Sequence, residues 1–394
     1  MSIGTTGSRP RNRAVRCGLP RLVAAAVAVQ LAATALAPAR ADGTDALTTD
    51  LAGIVASYLA ENPQAPGVTV WVKCPSLGLD WSHAAGLDAR GDGAAPLTAG
   101  HVFRIASNTK TYVAATVLRL AEAGRLTLAT PLGAQLPPDL STLLRGDGYD
   151  LDSITIGQVL SHTAGLADHS GDDRYGEAII ADPRHRWTPA EQVRRCVELF
   201  DPLGPAPAPY RYSDTGYVLL GAVVETVTGR PLAAAVRAEL DLAGLGLRRT
   251  WWEQLEPAPP GAGPRAHQHI GDHDVTDWDP SFDLHGGGGL VTDVRELGLF
   301  IRHLLKGRVL EQESSLAAMT GLGTEPYRLG LMAVDLDSHL AFGHQGFWNT
   351  FAFHLPGLDA TLSGCILGHD AANGRILASR LAARLAREPA PGRP

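Results

Sequence analysis

Only three lysines, at positions 73, 110 and 306, stand among the 34 basic residues of this 394-residue chain. Lys110 follows Ser107 in the stretch FRIASNTKTYVAATVLRL, where an apolar helix is expected to begin. Residues three apart share a helix face, so the Lys110 amine is expected beside the Ser107 hydroxyl. A serine hydroxyl is a poor nucleophile at neutral pH and needs an adjacent base. Lysine serves as that base only when neutral, and desolvation favours the neutral form. Arginine stays protonated and cannot substitute, which gives a chemical reason for a lysine in an arginine-rich chain. A helix start adds unpaired N–H groups and a positive dipole end, both suited to a developing oxyanion. Alone, Ser-x-x-Lys says little, because a serine at a helix start commonly acts as a cap.

Two further segments extend the set. PYRYSDTGYVLLG places Tyr212 two residues before Asp214, and FGHQGFW carries His344, Gly346 and Phe347. In this order and spacing the three segments resemble the serine β-lactamase and penicillin-binding protein family. Within it the chain looks closest to class C β-lactamases, D-alanyl-D-alanine carboxypeptidases, and their esterase and D-aminopeptidase relatives. LSHTAGL at Leu160, GGGGLVTDVREL at Gly286 and GHQGFWNTFAF at Gly343 support the resemblance, which covers nearly all of the chain beyond its first forty residues.

The resemblance implies an α+β, β-lactamase-like fold. An antiparallel sheet flanked by helices is built from both chain ends, an all-helical domain is inserted between them, and the active site lies in the cleft. Ser107 is then the nucleophile that becomes acylated, Lys110 the general base, and Tyr212 the proton shuttle. Asp214, His344, Gly346 and Phe347 are the expected substrate-binding residues, with His344 on a strand opposite the serine. The backbone N–H groups of Ser107 and Phe347 would form the oxyanion hole.

The chain departs from the family pattern at two places. The family has Tyr-x-Asn where this chain has Asp214, and an ionised aspartate only accepts hydrogen bonds. Such an aspartate can bind Lys110 and favour its charged form, which shifts weight to Tyr212. Gln345 and Phe347, followed by Trp348, stand where relatives often carry the Thr or Ser that helps hold a substrate carboxylate. An ester or amide without a free carboxylate therefore fits at least as well as a penicillin or a peptide ending in D-Ala.

The elements that must position these groups are visible as patterns. GVTVWVKC alternates Val68, Val70 and Val72, as a strand with one buried face does. A second strand is expected around LGLDWSHAAG. After Ser107, Val113, Val117 and Leu120 form one helical stripe, with Gly124 as its stop. SITIGQVLSHTAGL reads as a helix and a turn, TPAEQVRRCVELF as a Thr-capped helix, and TGYVLLGAVVETVTGR as a helix ended by Gly229. LGLMAVDL, NTFAFHL and ATLSGCILG read as strands, and Leu377, Leu381 and Leu385 share a terminal helix face. The expected division is a signal peptide over 1–41, a sheet domain from 42–120 and 285–394, and a mainly helical insertion over 121–284.

At the N-terminus, Arg9, Arg11, Arg13, Arg16 and Arg21 precede LVAAAVAVQLAATALA, and Ala39-Arg40-Ala41 offers a small-x-small cleavage pattern. This is the layout of a secretory signal peptide, so cleavage after Ala41, export and no stable membrane insertion are expected. A net charge of −7 and a pI near 6.0 leave no basic footprint for nucleic acid.

Of the four cysteines, Cys74, Cys196 and Cys365 lie beyond that segment. Their number and spacing make neither a disulfide framework nor a metal site. The family sheet order would bring the strands of Cys74 and Cys365 together, which leaves one disulfide open. His267, His269 and His273 read as a polar loop bordering the cleft. His162 is structural by the resemblance, and Trp251 and Trp252 read as packing residues. GGGGL lacks the Lys-Ser/Thr of a phosphate cradle and suits close backbone packing beside the cleft.

The expectation is a secreted serine hydrolase without cofactor, acting on a small-molecule or peptide amide or ester. An acyltransferase of secondary metabolism with the same nucleophile, and a non-catalytic binding relative, are the alternatives.

Overall fold

The computed structural model describes residues 41–321 and 326–389. The expected signal peptide lies outside the described residues, apart from Ala41, which opens the first helix. That helix is α1 (Ala41–Glu61), followed by β1 (Gly67–Cys74), β2 (Leu79–Gly86) and β3 (Val102–Arg104). The middle of the chain holds α2 (Thr109–Glu122), α3 (Pro138–Gly146), α4 (Ile156–Leu160), α5 (Asp173–Ala181), α6 (Pro189–Leu199), α7 (Asp214–Thr228) and α8 (Leu232–Leu240). Short strands β4 (Trp251–Trp252), β5 (His269–Ile270), β6 (His273–Asp274) and β7 (Leu290–Asp293) come next, then α9 (Val294–Leu305) and α10 (Glu313–Thr320). The chain closes with β8 (Met332–Leu336), β9 (His339–Gly346), β10 (Thr350–Leu355), β11 (Ala360–Ile366) and α11 (Gly374–Ala386).

The main sheet is antiparallel throughout and runs β2-β1-β11-β10-β9-β8. It joins the two ends of the fold through Val68 opposite Ile366. The strand patterns at both ends of the sequence therefore do meet in one sheet. A smaller sheet, β3-β7-β4, lies beside the serine segment.

One strand expectation changes. The alternation in GVTVWVKC suggests a single buried face, yet β1 is buried on both. Val68, Val70 and Val72 pack with Leu51, Val55, Leu377 and Leu381 of α1 and α11. Trp71, on the opposite face, packs in the same core as Leu297 and Phe300 of α9. Helices thus cover both faces, and a strand sandwiched in this way loses its hydrophobic/polar alternation. The single stripe foreseen on α2 also widens. Every residue from Thr109 to Leu118 is buried, as in a helix enclosed by others rather than lying on a surface.

Local signals hold where capping chemistry is explicit. Thr155 with Gln158 and Thr188 with Glu191 form capping boxes at the starts of α4 and α6. Gly124 and Gly229 follow their helices in the left-handed conformation. Leu377, Leu381 and Leu385 of α11 are buried as foreseen.

Strands β1 and β11 are neighbours, but Cys365 pairs with Thr69 rather than with Cys74. Cys74 lies five residues further along the strand. At roughly 3.3 Å per residue the two thiols are far beyond bonding distance. Cys74, Cys196 and Cys365 are all buried and free.

The sheet grips the turn that carries Ser107. Thr350 Oγ1 on β10 donates to the Ile105 carbonyl at 3.0 Å and accepts from Asn108 Nδ2 at 2.9 Å. Asn108 Nδ2 also donates to Ile105 O at 3.1 Å. At the end of β9, a Cβ on residue 346 would come 2.3 Å from Ile105 O, so only glycine permits this approach. Thr350→Val keeps the shape and removes the hydroxyl from a buried network. It should destabilise the fold by about 1–3 kcal/mol, read as a lower urea midpoint with unchanged slope.

Candidate active site

Strand β3 delivers the chain to the serine turn, and Arg104 anchors it. The Arg104 guanidinium pairs with Glu253 at 2.6 Å and donates to the carbonyls of Val275 at 2.8 Å and Trp278 at 2.9 Å. Ala106 then sits at φ 44°, a left-handed conformation that a non-glycine residue adopts at a cost. Ser107 follows in a short 3-10 turn, Ala106–Asn108, immediately before α2.

Lys110 is fully buried one turn into this segment. Its Nζ donates to Ser107 Oγ at 2.9 Å and to the Gly287 carbonyl at 2.7 Å, and forms an ion pair with Asp214 Oδ1. Asp214 opens α7 and accepts from Ser170 Oγ at 2.9 Å through Oδ2. Burial alone would lower the Lys110 pKa. The Asp214 carboxylate, helped by Tyr212 and Asp283, overrides it and raises the pKa. Burial pushes Asp214 the other way, and Lys110 pulls its carboxyl below the usual range. The resting site therefore holds an ammonium that donates to the serine, not an amine that accepts from it.

Tyr212 completes the group expected from the sequence. Its ring centroid lies 5.1 Å from Lys110 Nζ. Burial raises the phenol pKa, while Lys110 and a hydrogen bond with Ser107 act to lower it. Ser107, Lys110 and Tyr212 thus meet, although Tyr212 is over a hundred residues from the serine in sequence.

His162 supports that phenol from behind. Its ring is 4.4 Å from that of Tyr212, its Nδ1 accepts from Ser213 N at 3.1 Å, and its carbonyl accepts from Arg211 N at 2.9 Å. Burial drives its pKa well below the usual value, so it is neutral and holds the Arg211–Ser213 segment in place.

His344, expected among the substrate-binding residues, is not among the side chains lining the cleft. It is fully buried, with Nε2 3.0 Å from Tyr327 Oη and Nδ1 2.6 Å from the Gln345 carbonyl. Burial pushes its pKa down to about 3. Both nitrogens are occupied and the ring lies against Tyr327 and Tyr212. Gly346 contributes its close backbone approach, and Phe347 stands at the rim.

A cleft of about 240 Å³ opens over Ser107. Ile179, Phe282 and Phe347 give it apolar walls, and Asp214 and Asp283 supply its charge. Ile270 of the β5–β6 hairpin also lines it, so the histidine-rich loop does border the cleft, while His267 pairs with Asp274 at 2.5 Å. Trp252 is a packing residue whose Nε1 donates to Leu284 O at 2.7 Å. Among the described residues no group of three His, Cys, Asp or Glu side chains is arranged to hold a metal ion.

Reading the sequence missed Ser170, Asp168 and Asp283. The first two lie in ADHSGDD, a loop with no helical or strand period, and Ser170 Oγ is 3.0 Å from Asp168 Oδ1. Asp283 stands three residues before the glycine run already noted at Gly286, and its nearness to that run was the available signal.

The Beta-lactamase family profile matches residues 55–366. Esterase EstB of Burkholderia gladioli is 38% identical over 168 residues, which is 41% of each chain. Penicillin-binding protein 4 of Amycolatopsis lactamdurans is 33% identical over 168 residues, 42% of this chain and 40% of that one. The chain spans about two-fifths of the length of these curated relatives. Among solved structures, a D-stereospecific amidohydrolase from Streptomyces sp. superimposes with a TM-score of 0.70 at 28% identity, covering 83% of this chain and 97% of that one.

The ion pair yields a pH prediction. A base must be neutral, and Asp214 raises the pH at which Lys110 becomes so. The other charged or titratable groups acting on the amine include Tyr212, Tyr217, Asp168, Asp283, His162, His169 and His344. Asp214→Asn leaves burial as the dominant influence, lowers the Lys110 pKa, and should move the acidic limb of the kcat/KM profile to lower pH. An unmoved limb would show that Asp214 does not set the protonation of the base.

Proposed function

Because the chain belongs to the Beta-lactamase family, we propose that it is a serine acyl hydrolase that cleaves esters or amides through an acyl-enzyme on Ser107. The observation that carries this reading is the Lys110 amine 2.9 Å from Ser107 Oγ at the floor of a cleft. In the first step Lys110 gives up to solvent the proton it holds at rest, and Ser107 Oγ bonds to the substrate carbonyl carbon as its own proton passes to the amine so freed. The backbone N–H groups of Ser107 and Phe347 hold the oxyanion. The proton then reaches the leaving alcohol or amine by way of Tyr212, and the bond to the leaving group breaks. Water, deprotonated by the same groups, releases the acid.

Two of the similar proteins are named as an esterase and a D-stereospecific amidohydrolase, which supports ester and amide substrates. Among the described residues, those lining the cleft include no lysine or arginine to hold a substrate carboxylate. This favours esters and amides over penicillins and peptides with a free C-terminus. We further propose export, from the arginines and apolar run within the first 41 residues.

The test is intact-mass spectrometry after incubation with a fluorophosphonate. The wild-type chain should gain one adduct and Ser107→Ala none, with a penicillin labelling far more slowly. No adduct, or one that survives Ser107→Ala, would sink the reading.

A further inference from the structure

A chain of hydrogen bonds leads outward from the Lys110–Asp214 pair, and with both of its carboxylates ionised it would be one hydrogen short. Ser170, an exposed residue, sets its Oγ 2.9 Å from Asp214 Oδ2 and 3.0 Å from Asp168 Oδ1. A hydroxyl carries one hydrogen and can donate to only one of the two. Were both carboxyls ionised, the second oxygen would face the lone pairs of Ser170. Lys110 holds Asp214 ionised, so the missing hydrogen belongs on Asp168.

The loop is not free to relieve this contact by drawing back. His169 N donates to Thr215 Oγ1 at 2.9 Å, and Ser213 Oγ donates to the Ala167 carbonyl at 2.7 Å. The residues on either side of Asp168 are thereby fastened to the start of α7, which carries Asp214. Ala167 N donates to Tyr149 Oη at 3.2 Å, and Ser170 N to Asp168 Oδ1 at 3.1 Å. The Asp168 side chain is only 20% exposed. The charged or titratable groups around it include Asp214 of α7, Lys110 of α2, Cys196 of α6 and His169 beside it. Burial pushes its carboxyl up to about 7, and Asp214 raises it further, against the pull of Ser170 and Lys110.

We infer that Asp168 is a positioning residue: as a neutral carboxylic acid it donates to Ser170, which donates in turn to Asp214 and holds that carboxylate against Lys110. Loss of the Asp168 proton breaks the chain and sets a second negative charge near Lys110. That charge favours the ammonium and leaves less of the neutral base. For its effect on rate the inference rests on the acyl-hydrolase reading, whereas the hydrogen on Asp168 stands independently of it.

Infrared spectroscopy tests the proton without turnover. At about pH 5.5 ordinary aspartates are ionised. The wild-type chain should then show a carboxylic acid C=O band that Asp168→Asn lacks, and this band should fade by about pH 8.5. A wild-type-minus-variant spectrum without the band would overturn the inference. Asp168→Ala, checked for fold by circular dichroism, provides the same subtraction should Asp168→Asn fail to fold.

The rate at which a fluorophosphonate labels Ser107 supplies a second readout. Asparagine donates to Ser170 but never ionises. The labelling rate of Asp168→Asn relative to wild type should therefore rise at least about threefold between about pH 5.5 and about pH 8.5. Asp283 titrates in the same range but is common to both chains. Asp168→Ala lacks the donor too, and at about pH 5.5 it should label at least about threefold more slowly than Asp168→Asn. A ratio that stays flat or falls with pH, or an alanine variant as fast as the asparagine one, would refute the role of Asp168. Ser107 labelling without the infrared band overturns this inference alone, and the band without any Ser107 labelling overturns the acyl-hydrolase reading alone.

Discussion

A buried ammonium facing a buried carboxylate is the constraint around which the site is arranged. Lys110 has no access to water, so its charge persists only because Asp214 lies against it and the Gly287 carbonyl accepts from it. That pairing requires three distant parts of the chain to converge: the start of α2, the start of α7 and the glycine run before β7. The all-round burial of α2 follows from the same need, because an exposed helix would leave the amine solvated and its protonation independent of Asp214. The main sheet then fixes the last partner, holding the serine turn through Thr350 and the bare backbone at Gly346.

The chemistry of this arrangement was legible where residue type and spacing are bound together. Ser107 and Lys110 are one helical turn apart, so their meeting follows from local geometry alone. Tyr212 and Asp214 have no such local tie to the serine. Only the order of motifs brought them in, and the pairing of Asp214 with Lys110 followed from acid–base complementarity. Strands β1, β2, β8, β10 and β11 were readable from short apolar runs bounded by turn residues. The capped helices α4 and α6 were readable from Thr155 and Thr188.

What stayed hidden depends on contacts across the fold. For β9 only the resemblance put His344 on a strand, because Gly343, Gln345 and Gly346 blunt its apolar pattern. α9 carries an explicit cap at Asp293, yet it lay inside a segment noted for its glycines. His344 occupies a strand position that suggests contact with substrate. Its Nε2 meets Tyr327 Oη at 3.0 Å, a partner that could not be placed from sequence. Asp283 was invisible for the same reason: an isolated aspartate in a loop acquires meaning only from what the fold sets beside it.

The pairing of β1 with β11 has a bearing on biosynthesis. Val68 finds Ile366 only across almost three hundred intervening residues, so the centre of the sheet cannot close until nearly the entire polypeptide has left the ribosome. Non-local closure of this kind is slow. Until it occurs, the nascent chain exposes an unpaired β1 edge and its valines, and it remains in the extended condition that a translocation channel or a chaperone can engage.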